Sequence, residues 1–136
     1  MTEAKALIEK LLTASQIGCK TVWVGRSGSL LLKVAAEAGK HITLEGQEKD
    51  VTTAGLARMN MILHDNVTAK IWQDNTLANP YWKNHDGSLK TFDFAVANPP
   101  FSAHWSANPL FMSDDRFSVY GKLAPSSKAD MAFVQH

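Results

Sequence analysis

Two hydrophobic periodicities alternate along the chain. Apolar residues recur three and four positions apart in three stretches, which predicts amphipathic helices over residues 4–12, 30–38 and 51–63. Four short apolar runs, rich in β-branched or aromatic residues, predict strands over residues 21–24, 41–44, 69–72 and 92–97. Strands that alternate with helices of this length favour βαβ units. The predicted fold class is therefore α/β, with a mostly parallel sheet and flanking helices.

Turn and cap residues separate these elements. Polar turns are predicted over residues 25–29 and 46–50, Gly39 ends the second helix, and Asp50 or Thr52 can cap the third. Residues 74–89 are polar and irregular. The last part of the chain is predicted to form a loop over residues 102–127, followed by the start of a helix over residues 128–136.

We interpret the whole chain, residues 1–136, as part of one domain. It comprises an N-terminal helix over residues 1–20, a core over residues 21–101, and a loop with the start of a truncated helix over residues 102–136. Such an incomplete fold leaves a sheet edge and core surface exposed, so self-association into a homo-oligomer is expected.

Composition and charge narrow the function classes. The 136 residues carry a net charge of +1, whereas a protein that grips duplex DNA alone usually shows a basic excess. If DNA is the substrate, most phosphate contacts must come from elsewhere.

The single cysteine, Cys19, excludes an internal disulfide framework, and the apolar runs are too short to span a bilayer. No signal-peptide pattern is present, so a cytoplasmic location is expected. The five histidines show no metal-ligand spacing.

The sharpest chemical signal is the sequence Asn98-Pro99-Pro100-Phe101 at the end of the fourth predicted strand. The Asn98 side chain and the Pro99 carbonyl can both accept hydrogen bonds from the exocyclic amine of adenine, which turns the nitrogen lone pair towards a methyl donor. The two prolines hold these acceptors rigid. Phe101 offers a flat surface to a base rotated out of the duplex. The alternative is a rigid turn in which Phe101 belongs to the core.

Three further polar positions follow predicted strands, where ligands bind in open parallel sheets. The first is a glycine-rich loop that resembles a nucleotide-binding turn, with candidate residues Gly25, Ser27, Gly28 and Ser29. Glu48 stands where an acid can hold both ribose hydroxyls of a cofactor. Asp74 and Asn75 stand where a side chain can recognise an adenine amine. Each of the three has a structural alternative. The glycine-rich loop can be an ordinary strand-to-helix turn capped by Ser29, Glu48 can be a solvated acid, and Asp74 or Asn75 can be a turn residue.

Together these segments resemble the modification subunits of type I restriction systems, which are N6-adenine DNA methyltransferases. The resemblance covers most of the chain from about residue 21 and is carried by SGSLLLKV at 27–34, GQEK at 46–49, TTAGLARMNM at 52–61, DNTL at 74–77, FDFAVANPPFS at 92–102 and ADMAF at 129–133. It implies a Rossmann-like fold and S-adenosylmethionine as cofactor.

The resemblance also assigns roles. Gly28 and its neighbours would face the cofactor, Glu48 its ribose, and Asn75 or Asp74 its adenine, while Asn98, Pro99 and Phe101 would hold the target base. It further implies DNA as substrate, together with the specificity and restriction subunits of a type I complex as partners.

Arg26 departs from the family pattern, because it occupies a glycine position of the cofactor loop. Its side chain would crowd the methionine end of the cofactor, so weak or no cofactor binding is expected, and the isolated chain is expected to be inactive. Two alternatives remain open: a non-catalytic remnant that folds or oligomerises without cofactor, and a protein-glutamine methyltransferase. The latter usually has Tyr at the position of Phe101.

Overall fold

A computed structural model describes residues 20–24, 29–38, 42–97 and 103–136. The helix predicted over residues 4–12 lies outside this part of the chain. Two compact units make up the chain, Met1–Asn98 and Pro99–His136, and each is described by itself.

The first unit contains a four-stranded parallel sheet with the strand order β3-β2-β1-β4. Its strands are β1 (Lys20–Val24), β2 (Thr43–Glu48), β3 (Lys70–Gln73) and β4 (Phe94–Ala97). Helix α1 (Ser29–Ala38) connects β1 to β2, and helix α2 (Val51–Leu63) connects β2 to β3. The predicted βαβ organisation and parallel sheet are confirmed.

Both helices pack on one face of this sheet. The core there is formed by apolar residues of α1, β2, α2 and β3: Leu31, Ala35, Leu44, Ala54, Ala57, Met61 and Ile71. The periodicity explains the packing, since residues three and four apart on a helix share a face and every second residue of a strand does so. Each large side chain buried here contributes about 1.5–3 kcal/mol.

The second strand differs from its prediction. Residues 41–44 were expected as a strand and residues 46–50 as a polar turn, but β2 continues to Glu48. The prediction was wrong because Glu45 and Gln47 are polar yet buried, with exposures of 3% and 1%. They lie on the sheet face opposite Leu44, where residues later in the chain bind them.

Helix α2 begins as its sequence predicts. The Asp50 carboxylate accepts a hydrogen bond from the Thr53 backbone N–H at 2.7 Å, which satisfies a donor of the first turn. This hydrogen bond lowers the pKa of Asp50 below its usual value. Of the two predicted caps, Asp50 is therefore the one used.

The segment between β3 and β4 is irregular, as predicted, apart from an isolated antiparallel bridge between Lys83 and Leu89. It covers the polar face of the sheet. Lys90 forms an ion pair with buried Glu45 at 3.2 Å and lies over the Trp82 ring, 5.8 Å from its centroid. Polar contacts between residues far apart in the sequence therefore hold this segment to β2.

The second unit contains a 3-10 helix (Pro109–Ser113) and two helices, α3 (Asp115–Ser118) and α4 (Ala129–Gln135). The prediction of a loop over residues 102–127 missed the first two, which are too short to show a periodicity. Phe117 is fully buried, and its ring contacts those of Trp105 and Phe111. These three aromatic side chains form the centre of the unit.

A buried charge cluster accompanies the aromatic one. The Arg116 guanidinium pairs with the Asp114 carboxylate at 2.7 Å and lies 2.9 Å from Nδ1 of His136. The hydrogen bond from Arg116 lowers the pKa of Asp114. Burial, together with the charge of Arg116, lowers the pKa of His136 to about 4. None of the helices in the described residues is long and apolar enough to cross a membrane.

Candidate functional site

The carboxyl ends of β2 and β3 lie side by side. Glu48, the last residue of β2, is paired in register with Gln73, the last residue of β3. Beyond these strands the Asp74 backbone N–H donates a hydrogen bond to the Glu48 carbonyl at 3.0 Å. The structure thus brings two predicted site residues, Glu48 and Asp74, to adjacent positions on one edge of the sheet.

The turn after β2 orients the Glu48 carboxylate. Its Oε1 accepts a hydrogen bond from the Asp50 backbone N–H at 2.9 Å, and the Gln73 side chain donates to the Lys49 carbonyl at 2.7 Å. Among the described residues no cation pairs with Glu48, and Oε2 has no protein donor. A half-buried carboxylate held in this way can accept hydrogen bonds from the hydroxyl groups of a ligand.

Asp74 and Asn75 lead into a turn at residues 76–78, and their side chains differ in the hydrogen bonds that they accept. The Asp74 Oδ1 accepts from the Asn75 N–H and its Oδ2 from the Asn79 side chain, both at 2.7 Å. Each carboxylate oxygen keeps a second acceptor position. The Asn75 Oδ1 accepts from the Leu77 N–H at 3.1 Å, which is the turn role considered as its alternative. The Asn75 Oδ1 also keeps one acceptor position, but the Asp74 carboxylate is charged and offers two, so Asp74 is the better candidate to accept a hydrogen bond from an amine.

Gln47 is a residue that the sequence reasoning missed. It was assigned to a turn, but it is buried in β2, and its side-chain amide binds the backbone of residues 79 and 81. The signal was present in the sequence, because Leu44 and Gly46 alternate with Glu45 and Gln47 as the two faces of a strand require. We did not recognise this strand signal because the residues on its second face are polar.

Of the remaining predicted site residues, Ser29 lies in the described part of the chain. Ser29 is the first residue of α1, not part of the preceding turn. Seven residues lie outside the described part of the chain: Gly25, Ser27, Gly28, Asn98, Pro99, Pro100 and Phe101.

The ends of β1 and β4 precede those seven residues in the sequence and lie at the same edge of the sheet as the end of β2. Val24 of β1 is paired in register with both Gln47 of β2 and Ala97 of β4. Ala97 immediately precedes Asn98 in the chain. In the part of the chain that the structure describes, no group of three or more His, Cys, Asp or Glu residues could hold a metal ion.

Comparison with known proteins matches the chain to one family. The family model described as N-6 DNA Methylase matches residues 23–136. The type I restriction enzyme MpnII methylase subunit of Mycoplasma pneumoniae is 42% identical over 121 residues, which cover 81% of this chain and 22% of that relative. The chain therefore spans less than a quarter of the length of this relative.

Solved structures agree with the sequence matches. The type I restriction-modification system methyltransferase subunit from Streptococcus thermophilus superposes with a TM-score of 0.85 and 38% identity, covering 98% of this chain and 29% of that one. An O-methyltransferase from Bacillus cereus, crystallised with SAH, shares the fold at a TM-score of 0.54 and 15% identity, covering 74% of this chain and 46% of that one. The predicted Rossmann-like methyltransferase fold is confirmed.

Proposed function

Because the chain belongs to the N-6 DNA methylase family, we propose that it forms the cofactor-binding and target-base part of a type I modification methyltransferase. The reaction transfers a methyl group from S-adenosylmethionine to the N6 amine of adenine in DNA. The observation that carries the proposal is the pair of carboxylates, Glu48 and Asp74, at the adjacent and backbone-linked ends of β2 and β3.

The acceptor groups at this edge fit the hydrogen-bond donors of the cofactor. The ribose carries two hydroxyl donors, and Glu48 offers a carboxylate whose Oε2 has no donor among the described residues. The adenine carries an exocyclic amine, and Asp74 offers a carboxylate with remaining acceptor capacity. We assign Glu48 to the ribose and Asp74 to the adenine, with Asn75 shaping the turn. When bound, S-adenosylmethionine supplies a methyl group activated by its sulfonium.

The target base would bind at the end of β4. Strands in a sheet lie about 4.8 Å apart, so the end of β4 is two strand spacings, about 10 Å, from the end of β2. Asn98 follows β4 directly, within reach of a cofactor that lies across β3, β2 and β1. We propose that Asn98 and the Pro99 carbonyl accept hydrogen bonds from the adenine amine. Pro100 keeps the corner rigid and Phe101 stacks on the base.

The glycine-rich loop after β1 would face the methionine part of the cofactor. We assign Gly25, Ser27, Gly28 and Ser29 to this contact, because the loop joins β1 to α1 between the two proposed binding regions. Arg26 lies in the same loop and would crowd the ligand. Weak cofactor binding, relieved by Arg26→Gly, is therefore part of the proposal.

The partners follow from the same proposal. A net charge of +1 provides little attraction for DNA phosphates. We propose that a specificity subunit supplies most DNA contacts and the sequence recognition, as the resemblance implies, and that a restriction subunit completes the complex. The whole chain is then part of one catalytic domain acting on DNA in the cytoplasm. Self-association of the isolated chain stays a prediction.

Calorimetric titration with S-adenosylmethionine tests the cofactor assignment. We expect binding by the chain, and a loss of about tenfold to a hundredfold in Glu48→Ala, because hydrogen bonds to a charged acceptor are removed. Asp86→Ala serves as a matched control, since among the described residues this carboxylate binds Ser88 of its own turn and no other. The affinity should rise in Arg26→Gly. Absence of binding in both the wild-type chain and Arg26→Gly would contradict the proposal.

A further inference from the structure

A buried glutamine connects β2 to the turn that carries Asp74. The Gln47 side chain donates from Nε2 to the Asn79 carbonyl at 2.8 Å, and its Oε1 accepts from the Tyr81 N–H at 3.0 Å. With an exposure of 1%, it is one of the most buried side chains described. Its amide therefore binds two backbone groups of a segment more than thirty residues further along the chain.

The segment held by Gln47 in turn holds Asp74. The Asn79 side chain donates from Nδ2 to the Asp74 Oδ2 at 2.7 Å, and the Asn79 backbone N–H donates to the Asn75 carbonyl at 2.7 Å. Moving the backbone at residue 79 would therefore move a donor that fixes the Asp74 carboxylate. A continuous series of hydrogen bonds runs from Gln47 through Asn79 to Asp74.

We propose that Gln47 is a positioning residue for recognition of the cofactor's adenine amine. It sets the backbone of residues 79–81 and, through Asn79, orients the Asp74 carboxylate. The inference rests on the proposed function, because it takes Asp74 as the acceptor for that amine. Neither Gln47 nor Asn79 contacts the cofactor in this account, so their effect is confined to how well Asp74 is placed.

The chemistry of the side chain supports a specific role. An amide has a donor and an acceptor at a fixed separation, and both are used here on backbone groups of the segment that follows β3. Methionine has a similar volume but can satisfy neither group. Glutamate can accept from Tyr81 but cannot donate to Asn79.

The test compares two ligands that differ only at the recognised group. S-adenosylhomocysteine carries the exocyclic amine, whereas its purine-riboside analogue carries a hydrogen at that position, which cannot donate to a carboxylate, and keeps the same ring nitrogens as acceptors. We expect calorimetry on the wild-type chain to show a preference for the amine ligand. In Gln47→Met this preference should fall by about fivefold to tenfold, the effect of one misplaced hydrogen bond. Circular dichroism establishes that each variant is folded.

A second variant guards against misfolding of the first. Asn79→Ala removes the donor to Asp74 at an exposed position and leaves both backbone bonds of Gln47 in place. It should reproduce the loss of preference. The matched control is Gln73→Met, which removes a similar amide-to-carbonyl bond next to Glu48. That variant should keep the wild-type preference, even if both affinities change together.

The outcomes separate the inference from the proposed function. If the wild-type chain prefers the amine ligand and both Gln47→Met and Asn79→Ala keep that preference, the positioning role is wrong while the cofactor site stands. If the wild-type chain binds both ligands equally, with both affinities reduced in Glu48→Ala, the adenine role of Asp74 falls and the inference with it. If neither the wild-type chain nor Arg26→Gly binds either ligand, both proposals are overturned.

Discussion

Removing Lys90 should leave a carboxylate buried without a partner. The Lys90 ammonium lies 3.2 and 3.3 Å from the two oxygens of Glu45, whose side chain is only 4% exposed. Breaking a fully buried ion pair by removing one partner costs about 3–5 kcal/mol. The Lys90 side chain is 29% exposed, so water reduces this penalty. We expect Lys90→Met to lower the free energy of unfolding by about 2–3 kcal/mol.

Urea unfolding at neutral pH measures this cost, and a double-mutant cycle isolates its origin. Glu45→Met combined with Lys90→Met removes both charges and fills a similar volume with apolar groups. It should recover most of the lost stability, because a buried ion pair and a well-packed apolar pair are often of similar stability. If Lys90→Met costs under about 0.5 kcal/mol, or if the double variant is no more stable than the single one, the carboxylate is effectively solvated and the reasoning fails.

Two further effects can be measured on the same unfolding curves. The Arg58 guanidinium donates two hydrogen bonds, at 3.0 and 2.8 Å, to the carbonyl of Ile71 in the outermost strand β3; Arg58→Met should cost about 1 kcal/mol, and Arg58→Lys should cost less, because it keeps a donor. The pKa of His136 is lowered to about 4, so the folded protein stays neutral there while the unfolded chain takes up a proton. Stability from this group should be complete above the usual pKa of 6.5 and be lost as the pH falls towards 4, and His136→Gln should show a smaller loss over that range.

The elements that the sequence predicted well are those set by neighbouring residues. Helix α2 and its Asp50 cap depend on a helical repeat and on a donor three residues away, so both are visible locally. The second half of β2 was missed because the partners that make Glu45 and Gln47 acceptable in a buried strand, Lys90 and the backbone at residue 79, lie more than thirty residues away. The alternation of the two strand faces is visible locally, but the distant partners that allow polar residues on a buried face are not.

In the candidate site, too, some features could be predicted from the local sequence and others could not. Glu48 and Asp74 were predicted from one rule, that ligands bind at the carboxyl ends of parallel strands, and the structure places them next to each other. The rule gives positions but no orientations. It could not show that Asn75 uses its side-chain oxygen within the turn, or that Gln47 holds the segment that orients Asp74.

Polar contacts and the stacking of Tyr81 on Trp72 both fix the segment between β3 and β4 to the sheet. On the opposite face, α1 and α2 bury an apolar core that tolerates small shifts, since dispersion contacts have no strict direction. Hydrogen bonds and ion pairs are directional, so Gln47 and Glu45 specify one placement of the segment. A carboxylate must be placed to within a fraction of an ångström to distinguish a base that carries an amine from one that lacks it. In the proposed recognition of the cofactor's amine, the buried polar residues of β2 therefore give a precision that apolar residues at the same positions could not.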